Sequence, residues 1–164
     1  LSQGGRILIE IVIPGRNAKL SIDHLLLDIN GTLTVDGHLI PGVKERIARL
    51  KQIVEVHLLT ADTYGMGTEV ATALGCRLEL VDPNQGGLDK VNYLAQLSKE
   101  HTAAIGNGYN DIYMLDEAAL GIAVIGSEGC SVRALEKADI VTNAINDALD
   151  LLLNPKRIVA TLRA

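Results

Sequence analysis

The sequence predicts an α/β fold: a doubly wound parallel sheet opened by an N-terminal β-hairpin, with residues 1–164 forming one domain. Three observations predict it. From about residue 42 onward, short apolar β-type runs alternate with stretches of helical periodicity, and such alternation implies a parallel sheet covered on both faces. Before that point, two apolar runs are separated by Pro14-Gly15-Arg16-Asn17, which reads as a turn. Hydrophobic residues make up 48% of 164 residues, enough for one packed core, while aromatics are only 2%, so that core must be built from Leu, Ile, Val and Ala.

The elements follow in order. Residues 6–13 (RILIEIVI) are dense in β-branched residues and read as a strand. Residues 19–28 read as a second strand. TLTVDGHLI (32–40) reads as a short flap hairpin with Asp36-Gly37 as its two-residue turn. A helix is predicted over about 42–51, with Pro41 near its first turn. IVEVHLLT (53–60) is a strand, 64–74 a helix stopped by Gly75, and 76–81 a strand. Leu88, Val91, Leu94, Ala95 and Leu97 space a helix. A strand at 101–106, a helix at 109–118, a strand at 120–126, a helix at 130–137 and a short strand at 139–142 follow. The C-terminal tail is helical and broken at Pro155. Residues 1–5 begin without Met, read as an expression remnant and are left out of the fold.

Composition narrows the function. A formal net charge of -5 argues against nucleic acid or an anionic membrane as partner, since both need a basic face. Apolar runs are too short for a membrane span, and no basic segment followed by an apolar stretch opens the chain. Cys76 and Cys130 form no zinc-type spacing and read as reduced thiols. A cytoplasmic location is therefore expected. His24, His38, His57 and His101 show no paired spacing and read as structural or surface residues. Gly65-Met66-Gly67 lacks the third glycine and the strand offset of a dinucleotide loop.

Ligands of open parallel sheets bind outside the carboxyl ends of the strands. Three polar clusters fall there: Asp28-Ile29-Asn30, Thr60-Ala61-Asp62 and Gly106-Asn107-Gly108. A carboxylate ending a buried apolar strand is costly unless compensated, and Gly31 and Thr32 suit a tight loop whose N–H groups meet an anion. Read alone, Asp28 suits a helix cap or turn as well as a site.

These segments also carry a resemblance. DINGTLT (28–34) resembles the first motif of the haloacid dehalogenase-like superfamily, Asp-x-Asp-Gly-Thr after an apolar strand. It is closer still to the Asp-Lys-Thr-Gly-Thr-Leu-Thr phosphorylation motif of P-type ATPases. HLLTAD (57–62) is similar to the second motif, and GNGYNDIYMLDEAALGIAV (106–124) to the fourth, Gly-Asp-Gly-x-Asn-Asp. Lys90 stands where the third-motif lysine would be. The resemblance spans most of residues 22–142. It implies a Mg2+-dependent phosphohydrolase whose nucleophile is Asp28. Lys90 would pair with Asp28 and the phosphate, and Gly31, Thr32, Thr60, Ala61 and Asn110 would line the phosphoryl site. Asp28, the Asn30 backbone carbonyl, Asn107 and Asp111 would hold Mg2+.

Two departures stand out. Asn30 replaces the second aspartate of motif one, and an amide cannot exchange a proton with a leaving group. Asn107 replaces the first aspartate of motif four, which implies weaker Mg2+ binding. The resemblance therefore implies a phosphatase of small phosphorylated metabolites that works slowly and prefers acyl or aryl phosphates. A catalytically weak phosphate-binding or regulatory module is the alternative. A receiver domain phosphorylated on Asp28 explains the alternation but poorly explains motif four. Thr60 follows Asp28 by 32 residues and Lys90 follows Thr60 by 30, so neither interval holds a cap or the ATPases' nucleotide-binding insertion. Cap-less relatives commonly cover the site with a neighbouring subunit. A homo-oligomer is expected, with the apolar opening hairpin as a candidate contact.

Overall fold

The computed structural model describes residues 8–164. Residues 1–5 and the first two residues of the 6–13 strand lie outside the described residues. The hairpin is formed by β1 (Ile9–Ile13) and β2 (Ala18–Ile22), antiparallel and separate from the main sheet. Strict alternation in β1 buries Ile9, Ile11 and Ile13 and leaves Glu10 and Val12 outside.

The main sheet contains β3 (His24–Asp28), β6 (Glu55–Thr60), β7 (Arg77–Leu80), β8 (Thr102–Gly106), β9 (Leu120–Val124) and β10 (Ile140–Thr142). Its order is β10-β9-β8-β3-β6-β7, with every neighbouring pair parallel. The chain runs outward from β3 through β6 to β7, then returns to β8 on the other side of β3. The order reverses between β3 and β8, where an open sheet leaves a crevice.

One expectation needs correction. Residues 19–28 are two strands, because Asp23 breaks them. Its N–H donates to the His101 carbonyl (2.8 Å) and its carbonyl accepts from the Glu55 N–H (2.9 Å). Those bonds hand the chain from the hairpin to the main sheet. The flap is present as β4 (Thr34–Val35) and β5 (His38–Leu39), with Asp36 and Gly37 both at positive φ (51° and 80°), as a type I′ turn requires.

Helices cover both faces. One layer holds α1 (Val43–Leu50), α2 (Gly67–Leu74), α6 (Ile145–Leu153) and α7 (Lys156–Leu162). α1 buries Val43, Ile47 and Leu50, a one-sided helical stripe that joins Leu25 and Leu27 of β3 and Leu149 of α6 in the larger core. The other layer holds α3 (Gly86–Leu97), α4 (Ile112–Glu117) and α5 (Val132–Lys137), packed on Leu26 and Leu59. Residues 109–118 begin as a 3₁₀ turn at Tyr109–Asp111 before α4.

α7 packs on β1, so the apolar face of the hairpin, expected to meet a second copy, is covered by the chain's own core. Leu8 and Val12 remain exposed there. Cys76 and Cys130 are free and half-buried, and burial raises both thiol pKa values. Among the described residues no helix is long and apolar enough to cross a membrane.

Candidate active site

Asp28 ends β3, at the reversal of strand order. Alternation along β3 aims Leu25 and Leu27 at the α1 side, so His24, Leu26 and Asp28 face α3. Lys90, one turn into α3, comes down on Asp28 from that side. Its ammonium donates to Asp28 Oδ1 at 2.8 Å and to Asp111 Oδ1 at 2.7 Å, with Asn110 Oδ1 at 3.3 Å. Lys90 and Asp111 have no exposure at all, and Asp28 retains 6%.

The second oxygen of Asp111 accepts the backbone N–H groups of Asn107 (3.0 Å) and Gly108 (2.9 Å). Those bonds fold the loop after β8 around the carboxylate, and a Cβ on Gly106 would fall into it. Asp111 is thus satisfied by three donors and does not line the open cleft.

Thr32 stands between the first and fourth motifs. Its Oγ1 is 3.0 Å from Asp28 Oδ2 and 3.1 Å from Asn107 Oδ1. Asn107 Nδ2 donates to the Gly129 carbonyl at 3.1 Å, which fixes the amide with its oxygen toward Thr32. Both partners of Thr32 are acceptors and one hydroxyl carries one proton. An oxygen of either Asp28 or Asn107 is therefore left wanting a positive neighbour. The buried charges agree, since two carboxylates share one ammonium. Gly31 makes this closeness feasible: its φ is +75°, and a Cβ there would collide with the Asn107 amide.

Thr60 ends β6 beside Asp28. Its Oγ1 accepts from the Asp62 N–H (2.9 Å) and from Asn30 Nδ2 (3.3 Å). With both lone pairs engaged, its O–H is left to donate. Asn30 thus has a task an ionised aspartate could not perform, because it supplies a donor to Thr60.

Asp28, Asn30, Thr60, Ala61, Thr63, Asn107, Gly108, Tyr109 and Asn110 line a cleft of about 370 Å³. Gly31, Thr32, Lys90 and Asp111 sit beneath or behind that lining. All ten residues singled out from the sequence therefore gather at one end of the sheet. The sequence did not single out Thr63 and Tyr109 on the wall, or Glu128, which fastens the rim. Glu128 accepts from the Asp36 N–H at the flap tip (3.1 Å) and from the Tyr64 hydroxyl (2.9 Å). A second cavity of about 400 Å³ lies against the flap, lined largely by apolar residues such as Val35, Leu39, Ile40 and Val124, and among the described residues no acidic or lysine side chain lines it.

Burial pushes the Asp28 carboxyl up to about 6, and the nearby Asp111 charge adds to that, while Lys90 and Thr32 pull the other way. Burial pulls the Lys90 pKa down, but Asp111 and Asp28 outweigh it and raise it above its ordinary value, which keeps the ammonium charged. At neutral pH the site presents an ionised carboxylate to the cleft, a fixed cation behind it and a hydroxyl donor beside it. That set can receive a tetrahedral oxyanion and stabilise added negative charge on it.

Comparison with known proteins agrees with this arrangement. A family model described as haloacid dehalogenase-like hydrolase matches residues 84–149, which contain Lys90 and the 106–111 loop. An uncharacterized protein of Methanocaldococcus jannaschii is 47% identical over 90 residues, covering 51% of this chain and 97% of that one. A soluble P-type ATPase-like phosphatase of the same organism is 29% identical over 140 residues, or 84% of this chain, which spans 51% of that protein's length. Among solved structures, the cobalt-bound deoxy-D-mannose-octulosonate 8-phosphate phosphatase of Haemophilus influenzae superimposes with a TM-score of 0.68 at 16% identity, covering 87% of this chain and 94% of that one.

Proposed function

Because this chain belongs to the haloacid dehalogenase-like superfamily, we propose that it is a Mg2+-dependent phosphohydrolase acting on a small phosphorylated metabolite through an aspartyl-phosphate on Asp28. The observation that carries the reading is the Lys90 ammonium clamped between Asp28 and Asp111 at the floor of an open cleft. A structural ion pair has no need of a second, charge-unbalancing carboxylate on the lining of a cleft.

The donor set fits Mg2+. Asp28 and Asn107 compete for the one Thr32 proton, and their oxygens are hard donors. With the Asn30 backbone carbonyl they are the ligands we assign. Asp111, also expected among the ligands, already accepts from Lys90 and two backbone N–H groups, so we assign it to positioning Lys90. When bound, Mg2+ would offset repulsion between Asp28 and the phosphate and draw charge from the phosphoryl oxygens.

The residues divide the remaining work. Asp28 attacks phosphorus, and the bond between phosphorus and the leaving oxygen breaks with its electron pair on the leaving group. Lys90 and the Thr60 O–H stabilise the phosphoryl oxygens as that charge develops. Asn30 keeps Thr60 aimed but gives no proton to the leaving group, so good leaving groups are favoured. Water then attacks phosphorus, releasing inorganic phosphate and restoring Asp28.

The test is phosphate release with Mg2+ from aryl, acyl and alkyl phosphates, beside an Asp28→Asn control. Turnover should fall from acyl and aryl to alkyl and vanish in the control. Activity surviving in the control would overturn the reading. The two aspartate-to-asparagine departures favour a second reading, a module that holds phosphate without turnover, and absence of release from every substrate would select it.

A further inference from the structure

The site at the head of the strands leaves a second cluster unexplained at their opposite end. His24 opens β3, and Glu55 and His57 lie on the adjoining β6, where register pairs His24 with Glu55. All three point to the α3 side. His24 Nδ1 and His57 Nε2 are 3.2 Å apart. Glu55 Oε2 is 3.8 Å from His24 Nδ1, and Glu55 Oε1 is 3.7 Å from His57 Nε2. Among the described residues this is the one group of three His, Cys, Asp or Glu side chains whose donor atoms converge in this way.

We propose that His24, Glu55 and His57 form a binding site for a divalent transition-metal ion of the Zn2+ class, separate from the phosphoryl cleft. Bond lengths of about 2.0–2.1 Å in a tetrahedron place ligand atoms roughly 3.3 Å apart; the two imidazole nitrogens already stand at 3.2 Å, and with one donor atom taken from each side chain the three lie within 4.8 Å of one another, so a small turn of the Glu55 carboxylate closes the set. Two imidazoles and one carboxylate suit zinc, cobalt or nickel and disfavour magnesium, which takes oxygen donors. The support a zinc histidine needs is also present. His57 Nδ1 lies 2.9 Å from the Tyr93 hydroxyl of α3, and an Nδ1–H donated there turns the Nε2 lone pair toward His24. The Arg77 guanidinium, near the Tyr93 hydroxyl, lowers its pKa against the larger effect of burial. His57 is fully buried, whereas the side chains of His24 and Glu55 retain 20% and 38% exposure, so the cluster reaches the surface on the His24 and Glu55 side.

The place in the fold gives the site a consequence. His24 is four residues before Asp28, roughly 13 Å along the strand. His57 is three residues before Thr60, and Tyr93 sits one helical turn after Lys90. A bound ion fastens β3, β6 and α3 together at the end away from the cleft, the same three elements that present Asp28, Thr60 and Lys90. The site does not depend on the phosphohydrolase reading.

The test is calorimetric titration of ZnCl2 into the untagged full chain, stripped by chelator and held in excess MgCl2. Co2+ absorption in the visible reports coordination geometry. One equivalent should bind in the wild type and in Asp28→Asn. His24→Gln and Glu55→Gln, both at partly exposed positions, should each weaken binding at least about tenfold, since losing a supporting partner alone costs 10–100-fold. Tyr93→Phe should weaken it less. The Co2+ bands of a low-symmetry site should fade in His24→Gln. No binding at micromolar Zn2+, equal affinity in both ligand variants, or loss of the site in Asp28→Asn would each overturn the proposal.

Discussion

Replacing Asp28 with Asn should abolish phosphate release and at the same time make the protein more stable. The surroundings of Asp28 raise its pKa from 3.8 to about 6, first through burial and then through the Asp111 charge. A folded-state pKa above the unfolded value means that the native state binds the extra proton, so stability falls as pH rises between those values. The penalty is absent well below pH 3.8, about 1 kcal/mol near pH 4.5 and on the order of 3 kcal/mol by pH 8. Asn removes the charge and keeps the shape. Lys90 still donates to the retained carbonyl oxygen, Thr32 turns its proton to Asn107, and the new amide donates to Thr32 Oγ1. At about 2–4 °C per kcal/mol for a chain of this size, Tm should rise by about 6–12 °C at pH 8 without Mg2+. Urea denaturation followed by circular dichroism at pH 4.5 and pH 8 measures the difference. A variant less stable than the wild type at pH 8, or a gain equal at both pH values, would refute the argument.

Other outcomes follow from the same contacts. Lys90→Met leaves Asp28 and Asp111 buried without their cation and should destabilise the protein by about 3–5 kcal/mol, a loss largely relieved by adding Asp28→Asn; denaturation of both variants checks this. The kcat/KM of the Mg2+-loaded protein should rise with pH along a limb at or below about 6, set by Asp28, and raising Mg2+ should move that limb to lower pH. Asn30→Asp should raise turnover of alkyl phosphates relative to aryl ones, by up to about 10²–10⁴-fold, and an unchanged ratio of the two rates would contradict the role given to Asn30. Glu128→Ala should free the flap tip with a stability change within about 0.5 kcal/mol, seen as faster hydrogen exchange of the Asp36 amide.

The fold was legible because the helices and strands carry their own periodicity. Leu25 and Leu27 against Leu26, or Val43 with Ile47 and Leu50, announce which face is buried. Asp23 was not legible as a break, since apolar residues continue on both sides and its bonds run to His101 and Glu55, distant in sequence. The gathering of Asp28, Thr60, Lys90 and Asp111 was readable from strand ends and motif order. The division of labour was not. Nothing local distinguishes Asp111 gripping Lys90 from Asp111 facing the cleft, because that depends on where two N–H groups of the preceding loop point. Glu128 gave no signal, as its partners Asp36 and Tyr64 lie 92 and 64 residues away. His24 and His57 were read as unrelated for the same reason. They sit one per strand, 33 residues apart, and only the parallel register brings them together.

The central claim is a reactive carboxylate at position 28. Acetyl phosphate with Mg2+, followed by acid quenching and peptide mass spectrometry, tests it most directly. One phosphoryl group should be found on the peptide holding Asp28, and none on the Asp28→Asn protein. Label on a different residue, or an unmodified Asp28 in protein shown to bind Mg2+, would contradict the account.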